Sequence, residues 1–129
     1  INSENFLIHD AARPFLTTEL IDDCLYGLKN ADASAPIMDS TNSLIGFKEN
    51  RIFLVNRQNI KSVQTPQSFK RNLILDVLKS SIEGTDEIGM LLKFDHSKKI
   101  QLVDGNINNI KITTKTDLTV ATSILEGLN

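Results

Sequence analysis

Apolar and polar positions follow two rhythms along this chain, and each change of rhythm marks an element. Phe6-Leu7-Ile8 is short, continuous and apolar, the pattern of a strand buried on both faces, and it stops abruptly at His9-Asp10. After Pro14 the period becomes helical. Leu20, Ile21, Cys24, Leu25 and Leu28 recur at that spacing behind Thr17 or Thr18, either of which can cap a helix. Ala33-Ser34-Ala35-Pro36-Ile37 then reads as a second strand that ends in the polar run Asp39-Ser40-Thr41-Asn42-Ser43. Strand, helix and strand at this spacing predict a right-handed parallel crossover.

From Leu44 to Gln64 the texture is β-like: two short runs, Leu44 to Phe47 and Arg51 to Val55, are joined by Lys48-Glu49-Asn50 as a hairpin with an Asn in its turn. The polar segment Gln64 to Phe69 reads as a loop and cap before a helix over Phe69 to Ile82, which Gly84 stops. Thr85 or Asp86 can cap a short helix that carries Ile88, Leu91 and Leu92. Ile100 to Val103 is strand-like, and Gly105 turns the chain. Asn109 to Thr113 alternates as a strand should, with Ile110 and Ile112 on one face and Lys111 on the other. Thr114 and Asp117 stand at N-cap and N3 spacing before a closing helix whose stripe is Leu118, Ala121, Ile124, Leu125 and Leu128. The whole is an α/β pattern with an inserted β-hairpin, and no repeat or linker interrupts it.

Composition narrows the function classes. Sixteen acidic against fourteen basic residues leave a formal charge of -2, so no long-range field draws the protein to nucleic acid or an anionic membrane. Any phosphate it binds has to be held locally. A single cysteine, Cys24, excludes an internal disulfide or a cysteine-based metal cluster and fits a reducing compartment, so the cytoplasm is expected. No apolar run approaches the roughly 18 residues of a membrane span, and neither a span nor a leader is expected. The start at Ile1, entering a strand almost at once, predicts a piece of something longer.

In α/β sheets ligands sit outside the carboxyl ends of the strands, and three polar clusters fall at or beside such ends. Asp10 can hold a divalent metal or accept a hydrogen bond from a ribose hydroxyl; equally, it can cap the following turn and pair with Arg13. Lys111 can bind an anion with help from Asn109, Thr113 and Thr114, or be a solvated edge residue. Arg57, in "LVNR", has the planar fork that grips phosphate, a group also common at strand ends on protein surfaces.

Taken in order, "HDAARPF", the Asp-Ser-Thr segment after "PIM", "NR" before "QTPQSF", "TDE" and "GNINNIKITTKTDL" resemble the sugar-phosphate cytidylyltransferases. The family matched is that of 2-C-methyl-D-erythritol 4-phosphate cytidylyltransferase, with the ribitol- or ribulose-5-phosphate cytidylyltransferases as near relatives. The resemblance implies a Rossmann-like nucleotidyltransferase sheet, three-layer α/β/α and mostly parallel, in which residues 39–64 form a hairpin arm. It further implies that a polyol phosphate attacks the α-phosphate of CTP with release of pyrophosphate, in a non-mevalonate route to isoprenoid precursors. His9, Asp10, Ala11 and Ala12 then face the nucleotide, and Asp10 lies near a magnesium ion. The resemblance also implies that Lys111 contacts the phosphates during transfer. Arg57 holds the substrate phosphate from an arm that crosses to a second subunit, which implies a homodimer, and Ser40 stands where the family has a substrate-touching threonine.

Two departures accompany the resemblance. Asn42 occupies a position where the family usually has lysine or arginine. The glycine-rich loop that cradles the CTP triphosphate is not among these residues, so the chain is expected to be the carboxyl-terminal part of a single nucleotidyltransferase domain. A ribitol-5-phosphate cytidylyltransferase, or a non-catalytic dimerising fragment, are the alternatives that the residues leave open.

Overall fold

The computed structural model describes residues 3–128, and its organising element is the strand β2 (Ala33–Asp39). One edge of β2 carries β7 (Ile100–Asp104) in parallel register, Ala33 opposite Ile100 and Ile37 opposite Asp104. Along its other edge, end to end and antiparallel to it, lie β6 (Gln67–Lys70) and β5 (Lys61–Val63). β1 (Asn5–Ile8) pairs antiparallel with the far side of β6. β1, β2 and β7 therefore run one way, and β5 and β6 the other. The apolar runs do make mutually parallel strands, but β1 and β2 are not neighbours. β6 lies between them, so the predicted crossover steps over a strand.

β6 replaces the loop expected over Gln64 to Phe69, and the helix expected from Phe69 starts only at α2 (Arg71–Lys79), ending before Gly84. "QSFK" gives little sign of a strand, because Gln67 and Ser68 are polar and yet buried. Ladder bonds to β1 and β2 on its two edges stabilise what its side chains do not. Between β5 and β6 the register against β2 slips by two residues: Ile37 faces Val63 but Ser34 faces Ser68. Pro36 stands at this break. Its carbonyl accepts from Gln64 N at 2.8 Å, so its donor-less nitrogen also faces the interruption, and the ladder to β7 loses nothing.

Side-chain alternation along β2 assigns the layers. Ala33 and Ala35 belong to the core with Phe69, Ile74, Val77, Ile88 and Leu91, under α2 and α3 (Glu87–Phe94). Ser34 points to the opposite face, where its hydroxyl donates to the carbonyl of Cys24 in α1 (Thr18–Gly27) at 2.5 Å. The three-layer arrangement follows. α1 can lie that close because Gly27 has no Cβ; one placed there would be 2.9 Å from Ser34 Cβ. Thr17 caps α1 by accepting from Leu20 N, and Asp86 caps α3 by accepting from Gly89 N at 2.8 Å.

β3 (Leu44–Lys48) and β4 (Arg51–Val55) form a separate two-stranded ribbon. Its turn is two residues long, Glu49 and Asn50, both at positive φ, which matches the right-handed twist of the strands. Phe47, Ile52 and Leu54 are 70%, 68% and 87% exposed, so this ribbon has no core of its own. At the other end of the chain the expected Thr114 and Asp117 pair caps α4 (Lys115–Leu128) reciprocally: Asp117 N donates to Thr114 Oγ1, and Asp117 Oδ2 accepts from Thr114 N. The strand expected over Asn109 to Thr113 does not form. Ile112 N donates to Ala12 O, but no ladder pairs the segment among the described residues, and Ile110 and Ile112 are only half-buried.

Candidate active site

β1 ends at Ile8, and the chain turns at once, with Arg13 N donating to Asp10 O at 3.0 Å. That turn brings Arg13 Nε to 3.2 Å from Asp10 Oδ2, and Lys111 Nζ reaches the same oxygen at 3.2 Å from the far end of the chain. Both readings of Asp10 therefore hold in part: it pairs with Arg13 as a turn residue does, and it also meets Lys111. Burial raises the Asp10 carboxyl pKa, but hydrogen bonds from Lys111 and Arg13, together with their charges, outweigh it and hold the group below its ordinary value. Asp10, Arg13, Lys111, Thr65, Thr85 and Asp86 line a cavity of about 310 Å³.

The walls of this cavity are fixed by polar side chains from inside the fold. Asp10 N donates to Thr65 Oγ1 (3.0 Å), which lies 2.9 Å from His9 Nδ1, while His9 Nε2 lies 2.9 Å from the carbonyl of Arg13. A carbonyl only accepts, so Nε2 donates to it. Both ring nitrogens of His9 are thus engaged inside the fold. Gln67 Oε1 accepts from Ile88 N and its Nε2 donates to Asp86 Oδ2 at 2.8 Å, which ties the 84–87 loop to β6. Ala11 is exposed, and Ala12 receives Ile112 through its carbonyl.

Arg57 and Ser40 lie elsewhere. They line a second concavity of about 460 Å³ with Asp39, Thr41, Gln58 and Lys61, at the foot of the ribbon, and it shares no residue with the first. Arg57 opens a 3₁₀ turn, Arg57–Asn59, and donates to Thr41 O at 2.9 Å; Ser40 donates to Asn42 O. Lys61 and Asp39 pair across the same hollow. Sequence reasoning overlooked the structural parts of Thr65, Gln67 and Asn109, and it had Arg13 only as a partner for Asp10. A polar Gln-Thr-Pro-Gln run that the fold buries was the available signal.

Of the two aspartates that line the first cavity, Asp10 is the one suited to a metal. Asp86 spends both oxygens on Gly89 N and Gln67, whereas the contacts to Asp10 fall on Oδ2 alone. No group of three or more His, Cys, Asp or Glu side chains gathers among the described residues. That donor set excludes an all-protein cage but fits magnesium, which keeps water and takes phosphate oxygens beside one or two carboxylates.

A mixed sheet with helices on both faces thus collects a carboxylate, an arginine and a lysine beyond the end of β1. Solved structures similar to this chain include 4-diphosphocytidyl-2C-methyl-D-erythritol synthase from Anaerococcus prevotii, at TM-score 0.87 and 32% identity over 96% of this chain and 59% of that one. The Thermus thermophilus 2-C-methyl-D-erythritol 4-phosphate cytidylyltransferase matches at TM-score 0.82 and 25% identity, over 95% of this chain and 62% of that one. The chain belongs to the 2-C-methyl-D-erythritol 4-phosphate cytidylyltransferase (IspD) family, whose model matches residues 2–127. A curated relative of that name from Clostridium novyi is 39% identical over 98% of this chain. The chain spans 57% of that relative's length.

Proposed function

We propose that the protein to which this chain belongs transfers CMP from CTP to 2-C-methyl-D-erythritol 4-phosphate and releases pyrophosphate, a step in isoprenoid-precursor synthesis. The observation that carries this is the meeting of Lys111, Arg13 and Asp10 in one polar cavity, in a chain of this family. A phosphate oxygen of the polyol attacks the α-phosphorus of CTP in line; the new P–O bond forms as the bond to the β-phosphate breaks, and pyrophosphate carries away the charge. Lys111 and Arg13 are cations placed where negative charge gathers, and their role is to position and neutralise. Asp10 holds Lys111 in place and is the residue that would bind magnesium. The ion's contribution is charge neutralisation at the phosphate oxygens.

Arg57 and Ser40 act on the polyol phosphate from the arm of a second subunit, in a homodimer joined through the exposed ribbon. That their hollow shares no lining residue with the cavity of Asp10 and Lys111 supports this, as do the exposed Phe47, Ile52 and Leu54. Within that protein the chain is the carboxyl-terminal part of the catalytic domain. A fully buried free thiol at Cys24 fits a cytoplasmic setting, and no helix among the described residues is long and apolar enough to cross a membrane.

The test is pyrophosphate release by the full-length protein, with CTP and either 2-C-methyl-D-erythritol 4-phosphate or ribitol 5-phosphate as acceptor. We expect the first to be preferred by at least about a hundredfold in kcat/KM. A preference for ribitol 5-phosphate would reassign the substrate, and no release with either would leave only a dimerising module.

A further inference from the structure

We propose that Asn109 is a positioning residue for Lys111, the clasp that fastens the irregular segment 105–114 to the turn beside Asp10. The role of Lys111 in this inference rests on the reaction proposed above; the clasp itself stands on geometry. Lys111 follows β7 on a stretch that joins no ladder, so no repeating backbone pattern sets its place. Among the described residues, backbone bonds tie the stretch to the rest of the fold at its start, from Gly105 N to Ile37 O (2.8 Å), and beyond Lys111, from Ile112 N to Ala12 O (2.9 Å).

Between those two points the segment is held by buried amides. Gln64 Oε1 accepts from Asn106 N at 3.1 Å and its Nε2 donates to Asn106 O at 3.0 Å. Asn109 Nδ2 donates to Thr65 O at 2.8 Å, while Asn109 O accepts from Arg13 Nη1 at 2.7 Å. Asn109 is fully buried, and its Oδ1 meets no donor among the described residues. Its donation therefore fixes its orientation: an amide turned over would set two acceptor oxygens against each other at Thr65. Gly105 permits the close approach, since a Cβ there would lie 2.7 Å from Gln64 Oε1 and 2.8 Å from Ile37 O.

Thr65 joins the two halves. Its carbonyl receives Asn109, two residues before Lys111, and its hydroxyl receives the main-chain N–H of Asp10. One buried residue thus links Asn109 to Asp10, in surroundings where an unmade hydrogen bond is costly and a made one is rigid.

The experiment uses the full-length protein, with Asn109→Ala and Gln64→Met each made alone and on a Lys111→Ala background. We expect each single variant to lose about 30-fold or more in kcat with KM for CTP within about threefold, because what is lost acts on the transition state. On the Lys111→Ala background the further loss is expected to stay under about threefold, the signature of a residue that works through another. Hydrogen exchange at the Ile112 amide needs no substrate, and it is expected to accelerate at least about 100-fold in both variants while β2 stays protected. If Asn109→Ala does not fold, the comparison stands on Gln64→Met, whose side chain is of similar length. Losses that add in full, or an Ile112 amide that exchanges as in the parent protein, overturn the clasp. A parent protein that releases no pyrophosphate while its variants show the faster exchange overturns the reaction and supports the clasp.

Discussion

The Lys111 side chain is about half exposed, and its ion-pair partner among the described residues, Asp10, is shared with Arg13. A cation so placed is free to exchange the carboxylate for an incoming phosphate. Lys111→Ala in the full-length protein is therefore expected to lower turnover by about two or more orders of magnitude, the scale of losing one charge-stabilising donor. Turnover near that of the parent would remove Lys111 from the reaction. Cys24 presents the reverse case, a group kept neutral by its surroundings. Burial pushes its thiol pKa up to about 11. Between the ordinary thiol value and that one, the folded chain keeps a proton that the unfolded chain releases, so stability is full below the ordinary value and falls as pH rises toward 11. Denaturant midpoints should drop between pH 8 and pH 10.5 and drop less in Cys24→Ala; equal slopes in both would contradict the assignment. Asp10, held low, contributes with the opposite sign: its share is present above the ordinary aspartate value and is lost as pH falls through its folded one.

Among the elements, those with strong local signals formed where the chain predicts them. Thr17 and Asp86 cap α1 and α3, the Thr114 and Asp117 box opens α4, and the ribbon turns on Glu49-Asn50. Thr17→Ala should cost about 1 kcal/mol of stability by loss of the cap at Leu20 N, measurable as a shift in denaturant midpoint without change of slope. β6 and the 109–113 segment went the other way, for related reasons. "QSFK" lacks the apolar alternation of a strand but receives ladder bonds on both edges, whereas "NIKIT" has the alternation and finds no partner edge. Strand formation depends on a neighbour, and a neighbour distant in sequence leaves no mark in the strand's own residues. The ribbon's exposed face poses a related question about partners. Leu54→Asp with Phe47→Asp should shift the full-length protein from dimer to monomer in sedimentation; a dimer of undiminished stability would assign the contact to another surface.

At the scale of the whole molecule, Arg57 and Lys111 occupy separate hollows, and the proposed homodimer makes a distinct prediction of that separation. Arg57→Ala should raise KM for the polyol phosphate more than that for CTP, and an equal effect on both would misplace the arm. Mixing full-length Arg57→Ala with Lys111→Ala, at a polyol phosphate concentration low enough that neither alone turns over appreciably, and allowing subunits to exchange should restore up to about a quarter of parental activity, because mixed dimers hold one site with both residues intact. No recovery, with exchange demonstrated by mass, would mean that each arm serves its own subunit.

The sequence by itself determined the α/β class, the parallel run of β1 and β2, the caps and the turn. These depend on the near neighbours of each residue, on periodicity and on backbone preference. It also carried Asp10, Arg57 and Lys111 as candidates, and the motifs of the family. Only the tertiary structure decided that β6 inserts between β1 and β2, that Arg13 and Lys111 share one carboxylate oxygen, and that Arg57 and Ser40 stand apart from them. Those facts depend on contacts between residues tens of positions apart, whose meeting is set by the sheet order. The buried amides of Gln64, Gln67 and Asn109 show the reason most plainly: a polar side chain reads as surface until a fold supplies partners for it inside.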